Sequence, residues 1–571
     1  MAFHPNPLSM PALIECVPNF SEGRNHDTIR RITERIETVE GATLLHVDPG
    51  KATNRTVVTF AGEPEAVVEA AFRAIATAAE LIDMRQHHGE HPRMGAADVC
   101  PLVPISGISM EETAEYARRL AERVGRELGI PVYLYEAAQP DPARKSLAVI
   151  RAGEYEALPA RITQPAWKPD FGPAEFNARS GATVIGARGF LVAYNVNLNT
   201  TSTRRANAVA FDVREAGRPK REGHPLTGKI VSNPDGTPVN VPGTLKAVKA
   251  IGWFIEEYGI AQVSMNLTDL DVTPIHTAFE EVSRSAEARG MRVTGSELVG
   301  LVPLQAMLDA GRHFLRKQQR SLGVPDAELI HIAVKSLGLD ELGPFKPEER
   351  IIEYRMRGMD SGRLARMTLT QFANATAAET AAPGGGSTAA LLGALGAALG
   401  TMVANLSAHK RGWDERWEEF SRWAERGQEL KEELLHLVDA DTAAYEQVMA
   451  AIALPKGTPE EQAERRQALE RANRGAIEVP WTVMRTAHDV FDLVEAMAEH
   501  GNPASASDAG VGALAARAAV RGAWLNVRTN VAGLKDRSAV SEIMTEGARL
   551  EADAADREAK ILQIVERKFG S

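Results

Sequence analysis

Cysteine is nearly absent from this chain, because only Cys16 and Cys100 occur among its 571 residues. The two lie far apart in sequence and form no CxxC pair, so neither a disulfide framework nor a cysteine-based zinc site is expected. Basic residues are not in excess either, since the formal net charge is −11. General nucleic-acid binding needs a basic footprint and is therefore not expected. Small anionic substrates are compatible with this charge, because local clusters of Arg and Lys can capture them.

A secretion signal is not expected either, since the N-terminus, MAFHPNPLSMPALIEC, has no charged stretch followed by an apolar run. The most apolar segment, TAALLGALGAALGTMVANL (388–406), approaches the length of a membrane span. Its many Gly and Ala residues favour a tightly packed buried helix over a lipid-facing one. We therefore expect a cytoplasmic protein without a membrane-spanning segment.

The first part of the chain, 10–180, alternates short apolar strands with amphipathic helices in the order βαββαβ. The stretches ALIECVP, TLLHVD, NRTVVTFAG, DVCPLVPI and IPVYLYE are typical of strands. Ser109 and Glu112 form a capping box that predicts the start of a helix. The order is that of a ferredoxin-like α/β subdomain.

The pattern begins again at Gly181, and 181–350 is expected to form a second α/β subdomain of the same kind. It contains an exposed loop or hairpin, 217–243, which is rich in Pro and Gly. A linker, 351–366, leads to 367–571, where strand patterns vanish and helical periodicity continues to the end. The predicted fold is therefore multidomain α/β plus all-α: two ferredoxin-like subdomains followed by a C-terminal helical bundle.

The stretch RQHHGEHPRMGAADVC (85–100) places His87, His88 and His91 within five positions, which fits a metal site, a proton-transfer site or a polar loop. On a helix, His87 and His91 would share a face as metal ligands, but Gly89 and Pro92 prevent such a helix. No H-E-x-x-H motif or partner Cys is present, so metal binding is the less favoured interpretation. A histidine on a loop at a strand end titrates near neutrality and can both take and give a proton.

Further polar residues lie at strand ends in similar Gly-containing stretches. They are Asn19, Ser21, Glu22 and Gly23 in CVPNFSEGRN, Asp48 in HVDPGKATNRT, and Asn195 and Asn197 in the strand that follows GATVIGARG.

At these residues the chain resembles a known family. ECVPNFSEG, VDPGKATNRTVVTF, LIDMRQHHGEHPRMGAADVCP, GATVIGARGFLVAYNVNL and GSELVGLVPL together resemble glutamate formimidoyltransferase. APGGGSTAALLGALGAALGTMVANLS, LVDADTAAYEQVMAA and LNVRTNVAGLKD resemble formimidoyltetrahydrofolate cyclodeaminase. The resemblance covers nearly the whole chain, in the order of the bifunctional family that acts in histidine breakdown.

The resemblance implies that the first half transfers a formimino group from N-formimino-L-glutamate to N5 of tetrahydrofolate. The family's catalytic histidine matches His91, which would take the proton of N5 and protonate the departing glutamate nitrogen. Asp48 is the candidate for orienting His91 or stabilising the amidinium. Arg93 is a candidate for binding a glutamate carboxylate through its planar fork, and a structural ion pair is the equal alternative. His87 and His88 are expected at supporting or surface positions.

The family's folate-binding loop matches ten consecutive residues. They are Gly172, Pro173, Ala174, Glu175, Phe176, Asn177, Ala178, Arg179, Ser180 and Gly181.

For the second half, the resemblance implies closure of N10 onto the formimino carbon with release of ammonia, which yields 5,10-methenyltetrahydrofolate. A carboxylate can take the proton of N10 and deliver one to the leaving nitrogen. LVDADTAAYEQ offers Asp439 and Asp441, which lie on different faces of a helix. The family's catalytic aspartate matches Asp441, and an acid on a helix surface is the alternative for either residue.

Two other groups are candidates for binding folate in the second half. Gly384, Gly385, Gly386 and Ser387 open the long apolar helix, where exposed backbone N–H groups suit a carboxylate or a pterin oxygen, although close packing is the alternative. The polar residues that are candidates for reading the pterin, with a buried hydrogen-bond network as their alternative, are Asn502, Ser505, Ser507, Asp508 and Asn526.

The resemblance further implies tetrahydrofolate as co-substrate and a homo-oligomer. From the composition and the motifs we expect no metal and no nucleic-acid or membrane partner, and we hypothesise that the folate is polyglutamylated. The basic residues proposed to bind a polyglutamate tail are Arg355, Arg357, Arg363, Arg366, Lys410 and Arg411. Two alternatives stay open: an enzyme with one catalytically dead half, and a protein that binds folate without chemistry. The presence of His91 and Asp441 in their motifs argues against the first, and a folate-binding protein would not need them.

Overall fold

The protein is described by a computed structural model over residues 12–51, 53–89, 92–223, 228–356, 364–531 and 537–569. These residues form two compact units. The α/β unit lies within Leu8–Ala310 and Val334–Met359, and the helical unit lies within Gly311–Ala333 and Asp360–Ser571. Two of the linker arginines named above, Arg357 and Arg363, lie outside the described residues.

The first sheet of the α/β unit has seven strands and is flanked by short and long helices. The strands are β1 (Leu13–Cys16), β2 (Asn19–Phe20), β3 (Ala42–Gly50), β4 (Arg55–Gly62), β5 (Ala97–Ser106), β6 (Val132–Glu136) and β7 (Thr183–Ala187). The helices are α1 (His26–Glu37), α2 (Pro64–Leu81), α3 (Met110–Leu128), α4 (Leu147–Ile150) and α5 (Glu154–Arg161).

The antiparallel part of this sheet has the strand order of a ferredoxin-like unit. β3 pairs with β4, β4 pairs with both β1 and β2, and these two pair with β5. One face of the sheet packs on α1, α2 and α3 through apolar side chains such as Ile14, Phe60 and Leu120. The predicted capping box of Ser109 and Glu112 begins α3. The ferredoxin-like prediction for the first subdomain is confirmed.

Cys16 and Cys100, distant in sequence, lie together in this core. Their Sγ atoms are 3.4 Å apart because β1 and β5 are neighbouring strands, and both thiols are free and buried.

The strand β7 corrects the boundary that sequence analysis placed between residues 180 and 181. β7 pairs in parallel with β5 and with β6, in register Val99 to Val184 and Val132 to Thr183, so it completes the first sheet. All five of its residues are buried. A parallel strand covered on both faces reads as a continuous apolar run, which gives no sign of the sheet to which it belongs.

The second sheet repeats the same order with four antiparallel strands, β11–β12–β8–β13. Its elements are β8 (Val192–Leu198), α6 (Thr203–Val213), β11 (Val248–Ile255), β12 (Ile260–Leu267), α7 (Ile275–Glu287) and β13 (Val293–Val299). The Pro- and Gly-rich 217–243 segment contains a small hairpin of β9 (Arg218–Pro219) and β10 (Asn240–Val241). The second ferredoxin-like prediction is therefore confirmed as well.

Between β13 and Met356 the described chain forms four helices, and part of this region joins the helical unit. The helices are α8 (Leu304–Lys317), α9 (Asp326–Leu337), α10 (Pro347–Arg350) and α11 (Ile352–Met356). Gly323 carbonyl oxygen accepts from Asn405 Nδ2 at 2.9 Å and from Gln428 Nε2 at 3.1 Å, and Leu322 N donates to Ser421 Oγ at 3.0 Å. Gly311–Ala333, which the sequence placed in the 181–350 subdomain, thus belongs to the helical unit. The change in composition used to place the domain boundary could not show this.

The helical unit is a bundle built around one apolar helix. Its helices are α12 (Leu369–Thr376), α13 (Gly385–Ala408), α14 (Trp417–Ala453), α15 (Pro459–His500), α16 (Ala506–Asn530) and α17 (Arg537–Phe569). By length and composition α13 is able to cross a membrane. It packs, however, against α14, α15 and α16, and Gly393, Gly396 and Gly400 lie directly against neighbouring helices. The predicted tight packing is confirmed on this side of α13, whereas Leu395, Met402 and Leu406 of the same helix are exposed.

Candidate active sites

The face of the first sheet that lies opposite α1–α3 is covered at two places. Near β5, β6 and β7 it packs on residues of α4 and α5, such as Ile150 and Leu158. Near β3 and β4, Leu45 and Ala61 pack on Ile352 of α11. Between the two covers lies a polar strip.

In this strip Asp48, Val57 and Asn19 face one another directly across β3, β4 and β2. Opposite residues of antiparallel strands point to the same face of a sheet, so these side chains form one row. Asp48 is exposed, Val57 is half-buried and Asn19 is 5% exposed. Asn19 Nδ2 donates to Val17 O at 2.8 Å, and no described residue donates to its buried Oδ1. The row therefore combines an accessible carboxylate with an unpaired amide oxygen.

Three loops meet at Asn54, a residue that sequence analysis did not single out. Its Oδ1 accepts from Gly23 N at 3.0 Å, its Nδ2 donates to His88 O at 3.0 Å, and its carbonyl oxygen accepts from His87 Nε2 at 2.8 Å. A Cβ on Gly89 would overlap the carbonyl oxygen of Thr53. The CVPNFSEG, KATNRT and HHGEHPRMG motifs are thus joined at one point.

His87 has a supporting role in this arrangement. It is 7% exposed, and a carbonyl oxygen can only accept, so Nε2 carries the hydrogen that bonds to Asn54. Its Nδ1 faces Arg93 Nε at 3.4 Å. Burial lowers the pKa of His87 below its ordinary value, and the charge of Arg93 acts in the same direction. His87 is therefore a neutral, structural imidazole, and His88 is exposed.

Arg93 forms the structural ion pair that was one of its two alternatives. Its guanidinium binds both carboxylate oxygens of Glu156, at 2.7 and 2.9 Å, and Glu154 at 3.1 Å. The Arg93 side chain is 10% exposed, and its pKa is raised chiefly by the bond to Glu156. The planar fork that would bind a substrate carboxylate is already occupied.

His91, the matched catalytic histidine, lies with Glu90 outside the described residues, so its role stays a prediction. The described residues that precede and follow it in sequence are anchored. His88 and Gly89 are fixed against Asn54 and Thr53, and Arg93 is fixed by Glu156. Among the described residues, no group of three His, Cys, Asp or Glu side chains is placed to hold a metal ion.

One end of the predicted folate loop, 172–181, is bound to the histidine-containing segment. Ser180 O accepts from Ala96 N at 2.8 Å and Arg179 O accepts from Met84 N at 2.9 Å. Gly181 has a φ of +69° and lies so close to Met94 that a Cβ would overlap its carbonyl oxygen. Only glycine combines this conformation with this approach. The two predicted parts of the transferase site therefore lie side by side.

The rest of the loop is more open. Asn177 Oδ1 accepts from the backbone N–H groups of Arg179 and Ser180, and Phe176 contacts Tyr155 with ring centroids 5.4 Å apart. Pro173, Ala174 and Glu175 are exposed. Gly172 packs on the backbone of Ile130 and Gly125, which makes it a structural glycine.

The second candidate site lies where α13 begins. Asp441 Oδ2 accepts from Ser387 N at 2.8 Å and from Ser387 Oγ at 3.2 Å. A Cβ on Gly386 would overlap the Asp441 carboxylate, and Gly385 faces the side-chain amide of Asn526. Burial raises the pKa of Asp441, while its bonds from Ser387 lower it. A half-buried carboxyl at the glycine-rich start of a helix is suited to exchanging a proton.

Asp439 has a different environment. Its carboxylate oxygens accept from the backbone N–H groups of Leu364, at 2.8 Å, and Ala365, at 3.3 Å. It therefore holds the chain segment that enters the bundle and is used for structure.

Asn502 and Asp508 lie apart from Asp441 within the chain, and their role in binding folate stays a prediction. Asn502 N donates to Ser407 Oγ at 2.8 Å, near the C-terminal end of α13. Ser387 and Ser407 are separated by twenty residues of helix, which corresponds to about 30 Å. Asn526, on α16, is the one of the five polar candidates that reaches the start of α13. When the helices of a bundle are long, sequence motifs do not show at which end of the bundle a polar residue lies.

Three family models match successive parts of the chain. They are described as formiminotransferase domain, N-terminal subdomain (residues 13–188), formiminotransferase domain (193–357) and formiminotransferase-cyclodeaminase (368–549). The first two meet between β7 and β8, as the sheets do.

Relatives match over the full length. The chain is 44% identical over 560 residues to formimidoyltransferase-cyclodeaminase of Gallus gallus, which covers 98% of this chain and 100% of the relative. It is 44% identical over 530 residues to the protein of the same name in Rattus norvegicus, with 92% and 94% covered. Glutamate formimidoyltransferase of Thermoplasma acidophilum is 43% identical over 307 residues, which is 53% of this chain and 93% of the relative.

Proposed function

Because this chain belongs to the formimidoyltransferase-cyclodeaminase family, we propose that its two units carry out consecutive steps on one folate. The α/β unit transfers the formimino group from N-formimino-L-glutamate to N5 of tetrahydrofolate. The helical unit closes the product to 5,10-methenyltetrahydrofolate and releases ammonia. The observation that carries this proposal is the carboxylate of Asp441 against the glycine-rich start of α13, because it supplies an acid–base group to the matched cyclodeaminase motif.

In the first step, N5 attacks the formimino carbon and forms a tetrahedral species. The proton of N5 leaves to His91, and the departing glutamate nitrogen receives a proton from the same imidazole. Asp48, exposed on the polar strip, faces the positive charge of the amidinium or orients His91. The N–H groups of an amidinium require acceptors, and the polar strip offers the accessible carboxylate of Asp48.

In the second step, N10 attacks the formimino carbon and loses its proton to Asp441. The leaving nitrogen then takes a proton and departs as ammonia, so a single carboxyl serves both transfers. Burial raises the pKa of Asp441, which makes it a better base than an exposed aspartate. The backbone N–H of Ser387 holds the carboxylate in place during the exchange.

One experiment separates this function from its alternatives. Purified protein is mixed with N-formimino-L-glutamate and tetrahydrofolate, while ammonia and methenyltetrahydrofolate are followed together. Both products must appear in equal amounts. Formimino transfer without ammonia, or ammonia only from premade 5-formiminotetrahydrofolate, would mean that one half is inactive. Folate binding without either product would mean a binding protein.

We also propose a cytoplasmic homo-oligomer in which the bundle contacts a second copy of the chain. α13 and α16 pack side by side through Gly396 and Gly512. Both expose large apolar side chains, namely Leu395, Met402 and Leu406 on α13 and Val511, Leu514 and Leu525 on α16. Exposed apolar side chains grouped in this way are typical of subunit interfaces. Substituting Leu395 and Met402 by Glu should shift the protein to smaller species in analytical ultracentrifugation, and an unchanged mass would contradict this interface.

The folate is proposed to be polyglutamylated, on the basis of the basic residues of the linker, including Arg355 and Arg366. A string of carboxylates bound to cationic residues raises the local concentration of the intermediate. With polyglutamate substrate at low salt, methenyltetrahydrofolate should form without a lag. With monoglutamate, or at high salt, 5-formiminotetrahydrofolate should accumulate. Equal accumulation with both substrates at low salt would contradict the tether.

A further inference from the structure

Asn54 has a backbone conformation that is uncommon for residues other than glycine. Its φ is +47°, in the left-handed region, where Asn is the commonest residue after Gly because its side chain can bond to nearby backbone. The residue is 8% exposed. Its side chain makes no bond to its own turn among the bonds described, and instead reaches two other loops. The conformation therefore serves contacts between loops.

The two side-chain bonds fix the spacing of those loops. Asn54 Oδ1 accepts from Gly23 N and Nδ2 donates to His88 O, both at 3.0 Å. The Gly23 turn in turn lies against Gly50, at the end of the strand that carries Asp48, since a Cβ on Gly23 would overlap the carbonyl oxygen of Gly50. One planar amide thus links the strand of Asp48 to the segment that precedes His91.

The backbone of Asn54 adds a third link. His87 Nε2 donates to its carbonyl oxygen, and Arg93 Nε contacts His87 Nδ1. Arg93 is held by Glu156. The described residues on both sides of position 91 are therefore connected, directly or through one side chain, to Asn54.

We propose that Asn54 is a positioning residue for formimino transfer: the amide N–H that it donates to His88 O holds His88 and Gly89, which precede His91 in sequence, next to the end of the strand that carries Asp48. This inference rests on the proposed role of His91. A misplacement of about 1 Å can lower a catalysed rate about 10²-fold even when the substrate still binds. Asn54 acts through the loop and touches no substrate.

Three variants test the proposal in the full-length protein. Asn54→Gly removes the amide and keeps the positive φ without strain. Asn54→Asp keeps an acceptor for Gly23 N but places a carboxylate oxygen against His88 O. The matched control is Asn207→Ala, because Asn207 Oδ1 and Nδ2 bridge Gly252 N and O in the second sheet in the same manner, at 3.0 Å each.

Asn54→Gly and Asn54→Asp should lower kcat of the transferase about 10- to 100-fold, with KM for both substrates within about threefold of wild type. Asn207→Ala should lose thermal stability but not kcat, and ammonia release from premade 5-formiminotetrahydrofolate should persist in all three. Wild-type kcat in Asn54→Asp would overturn the role of the bond to His88. A loss of stability without loss of kcat in Asn54→Gly would make the residue merely structural.

A double-mutant cycle with His91→Ala completes the test. If Asn54 acts through His91, Asn54→Gly should cause no further loss of kcat in the His91→Ala background. Additive losses would overturn the proposal while leaving His91 as the acid–base group. A His91→Ala variant with wild-type transfer would instead overturn the proposed function of His91, and with it the positioning role.

Discussion

The carboxylate of Asp441 accepts the backbone N–H of Ser387 at 2.8 Å, at the first turn of α13. The N-terminal end of a helix carries a partial positive charge and unpaired N–H groups, so the carboxylate is held in place by the helix that it faces. Asp439, two residues earlier on α14, is bound instead to the backbone of Leu364 and Ala365. The two acids of the LVDAD motif therefore have different partners: Asp439 binds the backbone of the segment that enters the bundle, and Asp441 binds the start of α13.

Asp441→Asn should abolish ring closure and leave formimino transfer intact. The amide still accepts from Ser387 N, so the fold is preserved, but it cannot take a proton from N10. The loss should reach about 10²–10⁴-fold, as expected for an acid–base group. Ammonia release from premade 5-formiminotetrahydrofolate measures it. Asp439→Asn is the matched control and should lower thermal stability more than rate. If only the Asp439→Asn variant lost ring closure, the catalytic aspartate would be Asp439 and not Asp441.

Gly386→Ala should damage the same site without touching its acid. A Cβ at Gly386 would overlap the Asp441 carboxylate, whereas a Cβ at Gly385 would lie 3.5 Å from the nearest atom of Asn526, which is ordinary contact. We therefore expect ring closure to fall at least about tenfold in Gly386→Ala and to change little in Gly385→Ala. Steady-state rates of methenyltetrahydrofolate formation distinguish the two. Equal rates in both variants would show that the carboxylate can move aside without consequence.

The sequence predicted what depends on local pattern and motif, and missed what depends on distant packing. The capping box of Ser109 and Glu112 predicted the start of α3, and the order of strands and helices predicted both ferredoxin-like sheets. Asn54 was missed because its importance depends on hydrogen bonds between loops that are distant from one another in the sequence. The position of Asn502 near the C-terminal end of α13 was not predictable, because no local motif shows which end of a long helix a distant residue contacts.

Arg93 illustrates a different limit. Its residue type suits both a substrate carboxylate and an internal ion pair, and the motif gave no means of choosing. The choice depends on Glu156, sixty-three residues later, which α5 places against the guanidinium. Such a pairing follows from the path of the chain between β6 and β7, and no sequence feature next to Arg93 indicates it.

His91→Ala and His87→Ala should separate chemistry from support in the HHGEHPRMG segment. Loss of an acid–base group in His91→Ala should lower transfer about 10²–10⁴-fold with unchanged thermal stability. His87→Ala removes a buried side chain that donates to Asn54 O at 2.8 Å, so it should lower the free energy of unfolding by about 1–3 kcal/mol. Urea denaturation and transferase assays on both variants provide the comparison. Near-wild-type transfer in His91→Ala would end the assignment of the catalytic base.

The last prediction concerns Glu15, a buried acid of the first sheet that neither reaction uses. Glu15 is 5% exposed and lies opposite Ala61 and Val103. Burial raises its pKa to about 7, although the charge of Arg188 lowers it.

In the unfolded chain Glu15 ionises near its ordinary pKa of 4.5. Between about pH 4.5 and 7 the folded state therefore keeps a proton that the unfolded state has lost, so stability falls as pH rises through this window. A shift of this size corresponds to about 3 kcal/mol. Glu15→Gln, which resembles the protonated acid, should unfold at a higher temperature than wild type at pH 8 and at a similar temperature at pH 5. Glu40→Gln, at an exposed position, should follow wild type at both. Circular dichroism melts of the three proteins across this range decide the matter, because a Glu15→Gln variant with the wild-type pH dependence would mean that Glu15 is already ionised in the folded protein at neutral pH.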